Sequence, residues 1–427
     1  MTRRVVITGM GCVTPVGHDV ETMWRAVLDC RSGVRPTALF DTSTFPSTFS
    51  AQVTDYALPA ALAADKRHAH ARRHTQFALG AATQAWAASG LGASDAFDPA
   101  RTGIYMGSGE GSLDFDNFTS LMIDAWTEAG RLDTARWGAL AFDRMNVHRE
   151  QEQEANMVVT HLAAALRVRG PAFNILTACA ASTQAIGEAA MMLRRGDADA
   201  MVTGGAHSMI HPYGLTGFIR LTALSRRNDE IPTASRPFDL TRDGFVLGEG
   251  SSVLILEDYE FARRRGATIL AEVIGYGSSA DAFRITDQDP EGDGAAAGMR
   301  AALADAGVAP SDIDYVSAHG TATKQNDAVE TRAIKAVFGD HAPKVPVSSV
   351  KGVLGHLIAA AGATELITCI LALRDQVVPP TAHLNTPDPE CDLDYVPNRP
   401  RPAALRTVMS NSFGFGGQNN TLIIRKI

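Results

Sequence analysis

The sequence predicts an α/β protein whose second half repeats the first. Three observations carry this reading. Short apolar, β-branched runs alternate with Ala- and Leu-rich stretches of helical period, as strands do when helices cross between them. Matching elements recur in the same order in residues 1–266 and 267–427, which indicates duplication rather than an array of short repeats. The chain has 427 residues, 45% of them hydrophobic, enough for parallel sheets covered on both faces.

Arg4 to Thr8 opens as a strand and runs into Gly9-Met10-Gly11-Cys12-Val13-Thr14. This resembles the start of a dinucleotide fingerprint. However, Thr14 holds the third Gly position, Pro15 follows it, and no acidic residue closes a second strand at the usual distance, so nicotinamide binding is not indicated. Residues 65–73 are basic and His-rich (Lys66, Arg67, His68, His70, Arg72, Arg73) and precede an Ala-rich helix from about Thr75 to Ser89. Basic residues at a helix start oppose its dipole. They suit a solvated helix start or an anionic partner. Thr102 to Met106 is a strand leading into a Gly-rich turn. Ser112 to Glu154 has no clear period and carries Phe115, Phe118, Trp126, Trp137 and Phe142. It reads as an insertion or cap rather than core.

Phe173 to Leu176 has strand character, Thr177 to Ser182 are small, and Gln184 to Arg195 reads as a helix closed by Gly196. Cys179 therefore sits on a tight strand-to-helix turn. Unsatisfied N–H groups there stabilise a thiolate, and the small neighbours leave room for a substrate. A buried structural cysteine at a helix start has the same local signature. Ala198 to Thr203 is a buried strand, Gly217 to Asn228 a loop, and Ser251 to Glu257 another strand.

The second half echoes these elements. Residues 272–277 match the first strand with its Gly-x-Gly, and the helix 295–307 matches the one before Gly90. Residues 315–320 match 105–109. Val345 to Ser349, followed by an apolar helix from about Gly355 to Leu373, matches the strand, turn and helix around Cys179. Thr407 to Ser410 with its Gly-rich tail matches 200–205. Two similar halves bring equivalent turns together, so Cys179, His319 and the Ser349–His356 region can share one pocket.

Composition excludes several classes. The net charge of −8 disfavours general binding to nucleic acid or anionic membranes. Five scattered cysteines without a CxxC pair indicate neither a zinc site nor a disulfide framework. The chain enters a strand at once, without an apolar leader, and no apolar run reaches membrane-spanning length. A cytoplasmic protein is expected.

Three second-half features join Cys179. His319-Gly320-Thr321-Ala322-Thr323 follows a buried strand. Lys351-Gly352-Val353-Leu354-Gly355-His356 precedes the apolar helix. Asn411 to Asn419 is a Gly-rich loop after the last long strand. Either histidine alone reads as structural. Two at strand ends, flanked by Gly and accompanied by a turn cysteine, point to a site. A cysteine, two histidines and an N–H cradle suit acyl-thioester chemistry at carbon.

On these residues the chain resembles the β-ketoacyl-acyl-carrier-protein synthases of the I/II type, within the thiolase superfamily. The motifs are Thr177-Ala178-Cys179-Ala180, His319 to Thr323, Lys351 with Gly355-His356, and Asn411 to Gly417. The resemblance implies a thiolase-like fold, with duplicated halves 1–266 and 267–427 in a layered α-β-α-β-α sandwich. It implies that Cys179 takes the acyl group from a carrier protein's phosphopantetheine, and that His319 and His356 assist decarboxylation of malonyl-carrier protein. Backbone N–H groups of Cys179 and Phe415 would form the oxyanion hole, and Phe415 would gate an acyl tunnel. Lys351 would pair with Glu365, with Asp327 and Glu330 behind the histidines. Thr286, Thr321 and Thr323 would touch the phosphopantetheine or malonyl group. Arg72, Arg73, Arg226 and Arg227 would meet the acidic carrier protein. The chemistry needs no metal or redox cofactor; phosphopantetheine arrives on the carrier. A homodimer is expected, and a ketosynthase/chain-length-factor heterodimer is the other assembly the family implies.

The chain departs from the family pattern at three places. Gln418 stands where Thr is usual and His207 where an acid is usual. Ser112 to Glu154 is longer than usual, in a region that lies at the family's dimer interface and lines its acyl tunnel. The substrate can accordingly be a polyene or polyketide intermediate rather than an ordinary fatty acyl chain. The rival reading is a non-catalytic chain-length-factor-like subunit. That reading lacks a nucleophile, and Cys179 argues against it.

Overall fold

The computed structural model describes residues 3–109, 114–285 and 287–427. Ten strands form the central framework: β1 (Val5–Val13), β2 (Thr102–Ser108), β3 (Ala172–Ile175), β4 (Ala200–His207), β5 (Gly250–Asp258), β6 (Ala271–Ala280), β7 (Tyr315–Ser317), β8 (Val347–Ser348), β9 (Thr407–Phe413) and β10 (Gln418–Arg425). Their hydrogen-bonded order is β8-β7-β9-β10-β6-β1-β5-β4-β2-β3. Read outward from the β1–β6 junction, the two sides have the same plan, with β5, β4, β2, β3 on one side and β10, β9, β7, β8 on the other. The junction is short: Val5, Val6 and Ile7 pair with Val273, Glu272 and Ala271.

The principal helices are α1 (Arg73–Ser89), α2 (Phe115–Ala125), α3 (Thr134–Arg144), α4 (Ala181–Arg195), α5 (Asp293–Ala306), α6 (Lys324–Phe338) and α7 (Ala361–Asp375). α4 contacts β2 and β4 on one side and β6 and β10 on the other, and packs against α7. α1 covers β1 and β5 from outside, α5 covers β6 and β10, and α6 packs on α5. This is the α-β-α-β-α layering. The middle layer is nearly dry: every residue of α7 from Ala361 to Leu373 is buried.

Glycines set the spacing of the layers. A Cβ at Gly9 or Gly11 would lie 2.2 Å from the carbonyl oxygen of Ala85 or Ala81 on α1. In the second half, a Cβ at Gly277 would lie 2.2 Å from the Gly298 carbonyl on α5. The Gly-x-Gly pairs thus let a helix backbone approach a strand closely. That accounts for the fingerprint-like pattern in β1 without a dinucleotide.

The expected parallel sheets are mixed. β2 is parallel to β3 and β4, and β7 to β8 and β9. β1–β5, β4–β5, β9–β10 and β10–β6 are antiparallel. Between β9 and β10 lie only residues 414–417, too few for the crossover a parallel pair requires.

Two other expectations change. Pro212–Arg220 is helical, so the expected loop starts after it. The segment expected to be aperiodic contains α2, α3 and the short helix Val147–Gln151. α2 and α3 pack on each other yet bury only Leu121, Ala125 and Ala141. Residues 110–113 lie outside the described residues.

Candidate active site

The two middle-layer helices start in the same way. Ala178 precedes α4 and Ile358 precedes α7, each with φ of 47° and each at the head of a tight turn. Such φ values in non-glycine residues store strain and mark sites the surrounding structure over-determines. The duplication places these turns side by side. Cys179, 2% exposed, is carried by the first turn, and His356 immediately precedes the second. The His356 Nε2 lies 3.0 Å from Cys179 Sγ. His356 is clamped through its backbone: its N–H donates to the Val246 carbonyl at 2.8 Å, and its own carbonyl accepts from Gly248 at 2.9 Å.

His319 enters from the end of β7. Gly320 follows with φ of 38°, and a Cβ there would lie 2.5 Å from the Ser349 side chain, so glycine is required. The Glu330 carboxylate on α6 accepts the N–H groups of His319 and Gly320, each at 2.8 Å. The His319 and His356 rings meet edge to face at 5.3 Å. Behind them the buried Lys351 donates to the Glu365 carboxylate and the His319 carbonyl, and its Nζ lies 3.5 Å from His319 Nδ1.

These hydrogen bonds assign the tautomers. His356 Nδ1 accepts the Ile358 N–H at 3.3 Å. His319 Nδ1 faces the Lys351 ammonium, which has no acceptor to offer. Burial first, then the charge of Lys351, holds both imidazoles well below the usual histidine range. Both are neutral, with the proton on Nε2 turned toward the cysteine. Burial pushes the Cys179 thiol up to about 12, against the opposing pull of Lys351 and of the Phe415 and Cys179 backbone N–H groups. Of these N–H groups only that of Cys179 belongs to the helix start, Phe415 lying on the 414–417 turn; burial outweighs both and the resting sulfur is a neutral thiol. Burial likewise raises Glu330 to about 7.

The Cys179, His319 and His356 ligand atoms lie within 4.8 Å of one another, a spacing a zinc ion would accept. The hydrogen bonds oppose this. With Nδ1 accepting, each neutral ring keeps its hydrogen on Nε2, where a metal would need the lone pair.

A cavity of about 350 Å³ opens over these groups. Phe245, Phe413 and Phe415 line it near Cys179, Thr321 and Thr323 further along, and Leu221, Thr222, Asp243, Asp287, Lys324 and Gln325 also contribute. The Thr321 and Thr323 hydroxyls are 3.0 Å apart. Thr286 lies outside the described residues. Asp327 does not reach the cavity. It accepts the Phe238 N–H at 2.7 Å and sits 3.4 Å from Arg242, anchoring the 236–242 loop.

Of the four arginines expected at a docking surface, three are engaged internally. Arg73 neutralises the fully buried Glu249. Arg72 faces Asp114 at 3.5 Å, and Arg227 pairs with Glu230. Arg226 is exposed, and its N–H donates to the cavity-lining Asp243 at 3.0 Å. Gln418 closes the 414–417 turn through its carbonyl, which accepts from Gly414 at 2.8 Å; its side chain is not required for that bond. His207 is buried at the end of β4, with Nε2 unpartnered among the described residues, and burial lowers it to about 3.

Family models for the β-ketoacyl synthase N-terminal and C-terminal domains match residues 2–262 and 270–385. The 3-oxoacyl-[acyl-carrier-protein] synthase 2 of Coxiella burnetii is 44% identical over 427 residues, covering 100% of this chain and 99% of that protein. A structure of a type II PKS acyl-carrier protein in complex with its ketosynthase superposes with a TM-score of 0.87 at 33% identity, covering both chains in full. The ishigamide ketosynthase/chain length factor gives 0.86 at 35% identity, again with full coverage of both chains. The architecture, the Cys-His-His geometry and these matches agree, and the chain belongs to the β-ketoacyl synthase family.

Proposed function

We propose that this protein is a 3-oxoacyl-[acyl-carrier-protein] synthase. It condenses an acyl thioester with malonyl-carrier protein, with loss of carbon dioxide, in fatty-acid or type II polyketide and polyene synthesis. The observation that carries the reading is the 3.0 Å approach of His356 Nε2 to Cys179 Sγ, with His319 beside them, over the cavity.

The chemistry follows from the geometry. Cys179 attacks the acyl-carrier thioester and takes the acyl group, its proton leaving with the carrier thiol. The Cys179 and Phe415 N–H groups, already pointed at the sulfur, stabilise the tetrahedral oxyanion. Such a donor is worth about 3–4 kcal/mol. Malonyl-carrier protein then enters. The two Nε2–H groups hold its thioester carbonyl as decarboxylation turns that oxygen into an enolate. The new carbanion attacks the Cys179 thioester, giving a 3-oxoacyl product two carbons longer. The sulfur leaves and takes up a proton. Neutral imidazoles suit this role because they donate hydrogen bonds to the enolate oxygen without being imidazolium acids that would protonate and quench the carbanion. Lys351, Glu365 and Glu330 position His319, and Phe415 gates the cavity. Thr321 and Thr323 provide hydroxyls for the arm or the malonyl group. The same role is proposed for Thr286. No metal or redox cofactor takes part; phosphopantetheine comes with the carrier.

Catalytic groups come from both halves, 1–266 and 267–427. Acyl carrier protein is the partner, and Arg226 is the exposed arginine available to it. The protein works as a homodimer: β3 is the open end of the sheet and exposes Phe173 and Leu176 beside it, an apolar edge suited to pairing with a second copy. Native mass of the protein alone separates this from a heterodimer with a chain-length factor. Among the described residues no helix is long and apolar enough to cross a membrane, and the five cysteines are free, which suits a reducing cytoplasm.

The experiment is intact-mass analysis of the protein incubated with acyl-carrier protein, then with malonyl-carrier protein. The acyl mass should appear on Cys179 and disappear as the 3-oxoacyl product forms. Absence of the adduct in the wild type, or its presence in Cys179→Ser, overturns the reading.

A further inference from the structure

We infer that Lys324 recognises the phosphate of the phosphopantetheine arm, an inference that rests on the ketosynthase reading above. The cavity joins the buried Cys179 to a rim that includes the exposed Lys324. Among the described residues lining it, Lys324 is the one lysine or arginine. Its ammonium has no partner among the described residues; its backbone carbonyl accepts from Arg242 at 3.1 Å. The rim carboxylates are already engaged: Asp287 by Arg284 at 3.2 Å, and Asp243 by the Arg226 N–H at 3.0 Å.

Lys324 is also badly placed for its own helix. It is the first residue of α6, directly after the N-cap Thr323, whose hydroxyl accepts the Asn326 N–H at 3.2 Å. A cation there faces the positive end of the helix dipole. An anion brought to the rim relieves both the ammonium and the helix end. The phosphopantetheine arm has the complementary polarity. Its thioester must reach Cys179, its amides can meet the Thr321 and Thr323 hydroxyls and the Gln288–Asn326 pair, bonded at 3.0 Å, and its far end carries a phosphate. With the thioester seated on the cysteine, the charged end lies toward the rim and Lys324.

The test compares acyl-phosphopantetheine with acyl-pantetheine bearing the same acyl group, reading kcat/KM for acylation of Cys179. The wild type should prefer the phosphorylated arm by about five-fold, and added salt should shrink that preference. The ratio should fall to about one in Lys324→Gln and be retained in Lys324→Arg. An unchanged ratio in Lys324→Gln, or no preference in the wild type, overturns the inference. Loss of the preference in Arg226→Gln but not in Lys324→Gln moves the contact to Arg226 and overturns it equally. A wild type that acylates Cys179 from neither thioester, nor from acyl-carrier protein, overturns the ketosynthase reading instead.

Discussion

His356 Nε2 stands 3.0 Å from Cys179 Sγ, and the Ile358 N–H on Nδ1 makes that imidazole a donor to the sulfur rather than a base for it. With burial raising the thiol to about 12, ionisation of Cys179 at neutral pH is rare. Alkylation of Cys179 by iodoacetamide should therefore accelerate about ten-fold per pH unit between about pH 7 and 10. It should still precede alkylation of Cys12, Cys369 and Cys391, which are buried away from the cavity. Peptide mass spectrometry measures both. A rate that levels off near pH 7 would show a stable thiolate and contradict the neutral resting state.

The two half-reactions should separate. In the proposed mechanism His356 donates toward the enolate oxygen, whereas the N–H groups of Cys179 and Phe415 serve the acyl-transfer oxyanion. His356→Ala should accept an acyl group on Cys179 yet release carbon dioxide from malonyl-carrier protein about 10²–10³-fold more slowly. Normal carbon dioxide release with lost acylation would reverse the assignment.

Lys351 and Glu365 form an ion pair with both partners about 2% exposed. Removing one partner strands a buried charge, so Glu365→Leu should cost about 3–5 kcal/mol in denaturant unfolding. The double variant Lys351→Met/Glu365→Leu should recover most of that stability, because a well-packed apolar pair replaces the ions. It should not recover decarboxylation, because His319 Nδ1 then loses the ammonium that holds its tautomer. Equal stability of the single and double variants would show that the pair is not coupled.

Glu330 makes stability depend on pH in a defined direction. Burial raises its carboxyl from 4.5 to about 7, so the folded protein holds this proton more tightly than the unfolded chain. Its contribution is full below about pH 4.5 and is lost as pH rises through about 7. Asp327 and Glu365, also raised by burial, act in the same sense. The readout is thus the difference between wild type and Glu330→Gln in unfolding midpoint from about pH 5 to pH 8. The wild type should lose more stability over that range. Parallel curves would assign the slope to the other carboxyls.

The legible parts of the site were those whose signal is local. Cys179 and His319 each follow a strand, whereas His356, expected at a strand end, follows the short helix Lys351–Leu354; all three sit beside small residues or glycine, and that pattern needs no partner to be read. The pairing Gly9-x-Gly11 and Gly275-x-Gly277 revealed the duplication, though not that the glycines admit Ala85, Ala81 and Gly298 at backbone distance. Strand direction was not legible, because β5 and β10 have the same apolar content whichever way they run. Nor was the engagement of Arg73, since Glu249 lies 176 residues away and nothing near Arg73 announces it. Phe413 was legible only as part of the 411–419 motif and Phe245 carried no signal of its own; the fold brings both to the cavity wall. α2 and α3 escaped notice although Phe115, Phe118, Met122 and Ala125 recur at helical spacing, because acidic and amide residues interrupt the stripe and only Leu121, Ala125 and Ala141 are buried.

Those two helices carry the last prediction. α2, α3 and their flanks expose Ile123 at 68%, Trp126 at 54%, Phe142 at 97% and Val147 at 65%, more apolar surface than a solvated cap retains. Between them Phe118, Leu121, Trp137 and Met145, with Asn117, Glu150 and Gln153, enclose a second cavity of about 170 Å³. The prediction is that this segment is covered in the dimer and shapes the far end of the acyl tunnel. Trp126→Arg with Phe142→Glu should then lower the native mass toward that of the monomer, because like a β3 edge it would meet its own copy. Flat, rigid aromatic walls cost little side-chain entropy on binding and favour a stiff unsaturated chain over a flexible saturated one, which must lose more rotamer freedom to fit. Acylation of Cys179 by polyunsaturated and saturated acyl-carrier proteins of equal length measures this directly. Polyunsaturated chains should react faster, and replacing residues 114–154 with a shorter linker should remove the difference. A preference for saturated chains that survives the replacement would place the specificity elsewhere and return the enzyme to ordinary fatty-acid elongation.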